Sequence, residues 1–210
     1  YLNLRRYISI IMVNNIIKIL LLVVILVLVY LVYDSVMRPV RFNKEVTKRS
    51  DAVIQNLKDI RSAQMAYKNI NNNYTGSFDT LLDFLRNGEI PVVKMVPDPE
   101  DTTFSKTITD TLGYIPVIDS LFGDRHDFDV NHLKFIPFTD NEEFGMEAGI
   151  IEKGGVEVNV FEVKVHYKVF LAGMNQQMVV NLIAAREQIE KYPGLKVGSM
   201  EEASTDGNWE

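Results

Sequence analysis

The chain opens on an almost unbroken apolar run. Ile16 to Met37, IIKILLLVVILVLVYLVYDSVM, has its only charges, Lys18 and Asp34, near the ends. At about 1.5 Å per residue, 22 helical residues reach roughly 33 Å, enough to cross a hydrocarbon layer of about 30 Å. Ile16, Leu22 and Leu26 stand for the lipid-facing apolar surface. Tyr30 and Tyr33 suit the membrane–water interface, and Lys18 can snorkel to the headgroups. A cleaved signal peptide needs small residues just beyond its apolar core. Tyr33 to Arg38 supplies none in the required pattern, so the run reads as an uncleaved membrane anchor. The stretch before Met12 reads as upstream translation or a fragment, and residues 1–15 are set apart as an N-terminal tail.

Beyond the anchor the period changes. Pro39 lacks an N–H and restricts its neighbour, so it is expected to kink or restart the helix. From about Arg41 to Asn71, Val46, Val53, Leu57, Ile60, Tyr67 and Ile70 recur with helical spacing and mark a packing stripe. Lys48, Asp51, Gln55, Lys58, Asp59, Ser62 and Lys68 fall on the opposite, polar side. Asn71-Asn72-Asn73 ends the pattern.

A short helix follows, with Ser77 as its cap, Phe78, Leu81, Leu82 and Leu85 on one face, and Asn87-Gly88 as its stop. Ile90–Val96 reads as a strand interrupted by Pro91, and 97–110 as a loop. Tyr114–Ile118 and Leu133–Phe138 read as short edge strands, each carrying a proline. The strongest β signal is GMEAGII, the turn Glu152–Gly155, and VEVNVFEVKVHYKVFL, a hairpin with a bulge expected near Val160-Phe161. A helix is expected from Gly173–Asn175 to about Lys191, with Val179, Leu182, Ile183 and Ile189 inward. Leu195–Val197 adds a strand, and 201–210 reads as a flexible tail.

The predicted fold class is therefore α+β. An N-terminal transmembrane helix, residues 16–37, continues into a long amphipathic helix, 38–73. That helix packs on a mainly antiparallel sheet in a soluble domain, 74–200, which also holds a C-terminal helix.

Charge narrows the possible partners. The 210 residues carry 22 basic and 28 acidic side chains, net −6. Residues 1–33 hold three of the basic ones and no acid, so the remainder stands at −9. Nucleic acid is not an expected partner, because phosphate binding needs clustered Lys and Arg. Cysteine is absent, which removes disulfides, thiol nucleophiles and thiolate metal sites.

Candidate chemistry is sparse. No P-loop, G-x-G-x-x-G or G-x-S-x-G is present. Asp124, His126, Asp127, Asp129 and His132 in GDRHDFDVNH offer oxygen and imidazole groups that suit a metal ion or a polar substrate. A solvated acidic loop explains the same residues. His166 reads as an ordinary strand histidine. No cofactor is expected and no catalytic residue is assigned.

Asp followed by Ser or Thr recurs at Asp34-Ser35, Asp79-Thr80, Asp101-Thr102, Asp110-Thr111 and Asp119-Ser120. The pattern resembles the O-glycosylation acceptor of some Gram-negative envelope proteins.

The span from Ile16 to about Leu85 resembles the N-terminal region of type IV pilins and pseudopilins. The resemblance is carried by the apolar helix, then by Ala66-Tyr67, Asn71-Asn72-Asn73-Tyr74 and Leu81-Leu82 in that order. It departs from the family in lacking the prepilin cleavage motif and the Glu five residues into the apolar run. The resemblance implies a single-pass protein of a bacterial inner membrane with a periplasmic domain. It also implies a structural role through contacts with envelope proteins or with itself, and no enzymatic activity. The flanking charges point the other way. Arg38, Arg41, Lys44, Lys48 and Arg49 outnumber Arg5, Arg6 and Lys18, which places the domain in the cytoplasm by the positive-inside rule. A cytoplasm-facing adaptor, and a membrane-anchored binding domain or enzyme using the Asp124–His132 loop, stay open as alternatives.

Overall fold

A computed structural model describes residues 2–97, 107–126 and 128–210; side chains are described from Ile17 onward, outside 95–97 and 107–110. The chain divides into two compact units, Tyr1–Thr47 and Lys48–Glu210. Helix α1, Leu2–Asn71, supplies all the described backbone of the first unit and the opening helix of the second.

In the first unit the helix runs without interruption through Pro39, where a restart was expected. Proline removes one main-chain donor from the turn that begins at Ser35. A side-chain clamp brackets that turn: Arg38 Nε lies 2.7 Å from Asp34 Oδ2, and Arg41 Nη2 lies 3.0 Å from Oδ1. Residues 2–15, set apart as a tail, are helical as well.

The second unit is built around the rest of α1. Val53, Leu57, Ile60 and Ala63 are wholly buried. Tyr67 is half-buried and meets Phe84 edge-on at 5.2 Å. Val46, in the first unit, is half-buried. Ile70 is 39% exposed, because 17 residues at about 100° each carry it roughly a quarter-turn or more from Val53. Gln64 is buried instead. Its Nε2 donates to Thr75 O at 2.6 Å, and its Oε1 accepts from Thr75 N at 3.1 Å. One side chain thereby satisfies both main-chain groups of the residue that turns the chain into the next helix.

That helix is α2, Phe78–Asn87. Ser77 caps it by accepting from Thr80 N, and Phe78, Leu81, Leu82 and Leu85 are buried. Strands β1, Glu89–Pro97, and β2, Thr107–Pro116, pair antiparallel as a separate two-stranded ribbon with an irregularity between Val92 and Val93. Residues 107–110, read as loop, belong to β2; their Thr/Ile alternation was masked by surrounding polar residues. Val117–Phe122 is a helix, α3, so the strand expected over Tyr114–Ile118 ends at Pro116. Pro116 fixes the backbone angle that starts it. Leu133–Phe138 forms no strand. A 3-10 turn, Val130–His132, precedes it, and only Phe135 bridges to Glu143.

The main sheet has three antiparallel strands in the order β3, Gly145–Lys153; β4, Val156–His166; β5, Gly194–Gly198. The β3–β4 register runs unbroken from Gly145↔Lys164 to Lys153↔Val156, so the expected bulge is absent. The apolar pattern changes face because β4 is buried on both sides: Val160, Phe161, Glu162 and Val163 are all buried. Burial of Glu162 costs desolvation, which raises its pKa. Hydrogen bonds from Lys196 at 2.8 Å and Lys164 at 2.9 Å outweigh that and hold the carboxyl below its usual value. Tyr167–Phe170, expected to continue the strand, is instead a short helix, α4, capped by His166, whose Nδ1 accepts from Lys168 N. Helix α5, Gln176–Glu187, is capped by Asn175; Val179 is buried, and Ile189 lies beyond its end and is exposed.

The last ten residues are not loose. Gly198 N donates to Asp206 O, Asn208 N to Lys196 O, and Lys196 N to Asn208 Oδ1, all at 3.0–3.1 Å. Val197 bridges to Gly207. The segment thus covers the outer edge of β5 and satisfies its main chain. Gly207 has no side chain for a reason, since a Cβ there would fall 2.3 Å from the Trp209 ring. Arg61 Nη1 anchors the end to α1 through Glu210 Oε1 at 2.9 Å.

The Glu210 carboxyl is held below its ordinary 4.5 by the hydrogen bond from Arg61 and then that from Gly207 N–H. A carboxyl depressed in the folded state contributes stability in full above its unfolded value and loses it as pH falls through the folded one. The emission of Trp209, the chain's one tryptophan, is therefore expected to hold steady at neutral pH and to shift below 4.5. The Arg61→Gln variant is expected to lack that acid step.

Candidate functional site

Two features of the molecule bear on function. The first is the apolar part of α1. Every side chain from Ile17 to Tyr33 is exposed, including Lys18, Leu22, Leu26, Tyr30 and Tyr33, the residues expected to form an anchor. Only the backbone of Ile16 is described, and it is helical. The helix is long and apolar enough to cross a membrane, and its most apolar stretch is not buried in the molecule. A core helix of a soluble domain would hide this surface. Leaving it in water would forgo roughly 25 cal/mol for each Å² of apolar surface.

The second feature is a cleft of about 680 Å³ in the second unit, between one side of α1 and the segment after α3. Gln55, Asn56 and Asp59 line it from the helix; Asp124, Arg125, His126, Phe128, Asp129 and His132 line it from the loop and the 3-10 turn. At its floor lies Asp59, whose side chain is 8% exposed and which the sequence pattern had placed on the polar, solvent side. Arg125 Nη2 approaches Asp59 Oδ1 at 2.8 Å, and Gln55 Nε2 donates to the same oxygen at 2.9 Å. The guanidinium lies 5.0 Å from the Phe122 ring centre and 4.9 Å from that of Phe128. The two rings stack on each other at 3.8 Å. Burial explains the correction: an acid at a buried position of the helix is retained where a cation reaches it.

Asp129 and His132 sit at the rim. Asp129 caps the 3-10 turn by accepting from Asn131 N at 2.8 Å, and its other oxygen lies 2.6 Å from His132 Nδ1. The Asn131 main-chain hydrogen bond, followed by the His132 contact, holds the Asp129 carboxyl below its usual range. The fold therefore brings Asp124, His126, Asp129 and His132 to one opening; Asp127 lies outside the described residues. Among the described residues no group of three or more His, Asp or Glu is spaced to hold a metal ion. The arrangement is a mixed-charge recess whose one buried acid is already paired. Its described lining offers carboxylate, imidazole, amide and guanidinium groups suited to binding a polar ligand.

The Asp-Ser/Thr pairs within the described residues all fall in regular elements. Asp34 is in α1, Asp79 in the first turn of α2, Thr111 in β2, and Asp119 in α3. Asp79 there complements the positive end of its helix. Asp101-Thr102 lies outside the described residues. Sequence reasoning missed Asp59, Arg125 and the Phe122–Phe128 stack. The only available signal was an Arg set among aromatics in FGDRHDF, which does not name its distant acid.

No protein-family profile, no curated protein and no solved structure matches this chain.

Proposed function

We propose that the chain is a single-pass membrane protein of pilin-like shape, whose folded domain has a structural, non-catalytic role in a cell envelope through protein–protein contacts. The observation that carries this reading is the exposure of every side chain from Ile17 to Tyr33. A surface so apolar and so long is stable in lipid and unstable in water. The envelope assignment draws on the resemblance to pilins. A long helix that begins apolar and later packs against an antiparallel sheet suits the shape that resemblance implies. A shared membrane also raises the effective concentration of partners, which makes weak domain contacts sufficient for assembly.

The chain has no cysteine, so one can be placed at will. Lys153 is exposed at the end of β3, beside the β3–β4 turn. Lys153→Cys is expected to react with a membrane-impermeant maleimide once the outer membrane alone is opened. Protection until the inner membrane is lysed would place the domain in the cytoplasm and favour an adaptor. A second reading, binding of a polar ligand or divalent cation, rests on the cleft at His126 and His132. A flat calorimetric titration of the detergent-solubilised chain with Zn²⁺ and Mg²⁺ would remove its metal form.

A further inference from the structure

The charge at the foot of the apolar helix is distributed in a way the anchor alone does not require. Residues 38–49 carry five basic side chains and one acid, a balance of +4 in a chain whose net charge is −6. Within the first unit, Arg38, Arg41 and Lys44 are all exposed, the first two with 68% and 64% of their side chains free. At 100° and 1.5 Å per residue they occupy an arc of about 120° and a height of about 9 Å, the scale of a headgroup layer. Glu45 shares that arc and lies highest on it.

Asp34 lies one turn below Arg38, toward the apolar run. Its two oxygens engage one nitrogen of Arg38 and one of Arg41. One carboxylate neutralises one of two guanidiniums, and each guanidinium has five donors. Both arginines therefore keep donors free to reach outward while removing the charge of Asp34 from the hydrocarbon edge. An acid at that depth is costly without such partners.

We infer that Arg38, Arg41 and Lys44 form a docking collar for anionic lipid headgroups, with Asp34 as its internal counter-charge. Charge complementarity identifies the occupant. The collar adjoins an exposed apolar surface of membrane-spanning length, and arginine pairs phosphate oxygens in a forked geometry. The rest of the chain is acidic and would be repelled by an anionic leaflet. A basic collar at the surface offsets that repulsion by attraction within a Debye length. The inference rests on the anchor reading given above.

The test uses the full chain, reconstituted in phosphatidylcholine vesicles containing spin-labelled phosphatidylglycerol or spin-labelled phosphatidylcholine. Co-flotation with vesicles is checked first. The electron spin resonance spectrum then gives the relative association of each lipid with the protein. The expected result is a preference for phosphatidylglycerol of about fivefold or more, from about one net basic charge at the surface upward. It should fall toward unity in 1 M NaCl and in the R38Q/R41Q/K44Q variant. Asp34→Asn frees a guanidinium and is expected to raise the preference. Flotation with equal association of the two lipids overturns the collar and leaves the anchor standing. A preference that survives the triple substitution, or that Asp34→Asn leaves unchanged, overturns the assignment to these residues. Failure to float overturns the anchor reading and the collar with it.

Discussion

Replacing Leu26 and Val29 together by lysine is expected to release the chain from membranes. Both lie near the middle of Ile16–Met37 and both are fully in the exposed apolar surface. The run holds 16 Leu, Ile and Val residues, and at about 0.3–0.6 kcal/mol each they favour insertion by roughly 5–10 kcal/mol. A lysine at the centre of a span costs about 2.5–3.5 kcal/mol, so two cost about 5–7 kcal/mol and cancel most of that gain. Snorkelling helps Lys18, near one end, and does not help a lysine halfway across. Alkaline carbonate washing distinguishes the cases. The parent chain should stay in the membrane pellet, and L26K/V29K should appear in the supernatant or be degraded. A double variant retained as firmly as the parent would mean that this surface is covered by something other than lipid.

The second large effect is expected in the folded domain. Phe161 sits in the central strand, is fully buried, and its ring centre lies 4.6 Å from that of Tyr74. Tyr74 follows the asparagine turn after α1, so this contact links the helix end to the sheet. Phe161→Ala is expected to destabilise the domain by about 3–5 kcal/mol, the range for removing a buried aromatic ring. Against a total stability of about 5–15 kcal/mol this is a large share. Urea unfolding of the solubilised chain, followed by Trp209 emission, should show a much lower midpoint at a similar slope. Ile150 provides the contrast, since it lies on the edge strand β3 and is 63% exposed. Ile150→Ala is expected to shift the same transition by no more than about 0.5 kcal/mol. Equal effects at the two positions would contradict the described core.

What the sequence made legible follows the range of the forces involved. The exposed apolar helix depends on composition over contiguous residues, and α2 depends on a cap and a stop within one short segment. The β3–β4 hairpin depends on alternation about a glycine turn. All three are local signals: α2 stands where the pattern put it, the apolar run is helical within the longer α1, and the hairpin pairs as expected up to His166, where helix α4 replaces the end of the expected second strand. The features that escaped depend on partners far along the chain. Asp59 was read as solvent-facing because its partner, Arg125, lies 66 residues later. Gln64 carries no apolar signal, yet it is wholly buried, because Thr75 offers both a donor and an acceptor. The tail was read as loose from its small and polar composition. It is held by main-chain hydrogen bonds to β5, which composition does not encode.

The misread segments have a common physical origin as well. Val160 to Val163 looked like a bulge because two apolar residues fell on successive faces. Burial on both sides of a central strand produces the same pattern with an unbroken register. Leu133–Phe138 looked like a strand from its apolar content, but the 3-10 turn before it and Pro137 within it leave only one bridge, at Phe135. The cleft was half legible. GDRHDFDVNH marked its loop wall, and the helix wall of Gln55, Asn56 and Asp59 had no sequence signal that distinguished it from a solvated face.

The central claim, that the apolar part of α1 lies in lipid with the folded domain outside it, is best tested by the depth of one residue. The cysteine-free chain allows Leu26→Cys to carry a single spin label after reconstitution into vesicles. The account predicts strong relaxation by oxygen, which partitions into the hydrocarbon, and weak relaxation by a water-soluble nickel chelate. The reverse ranking, with the label open to nickel and poor in oxygen, would place the helix in water and contradict the account.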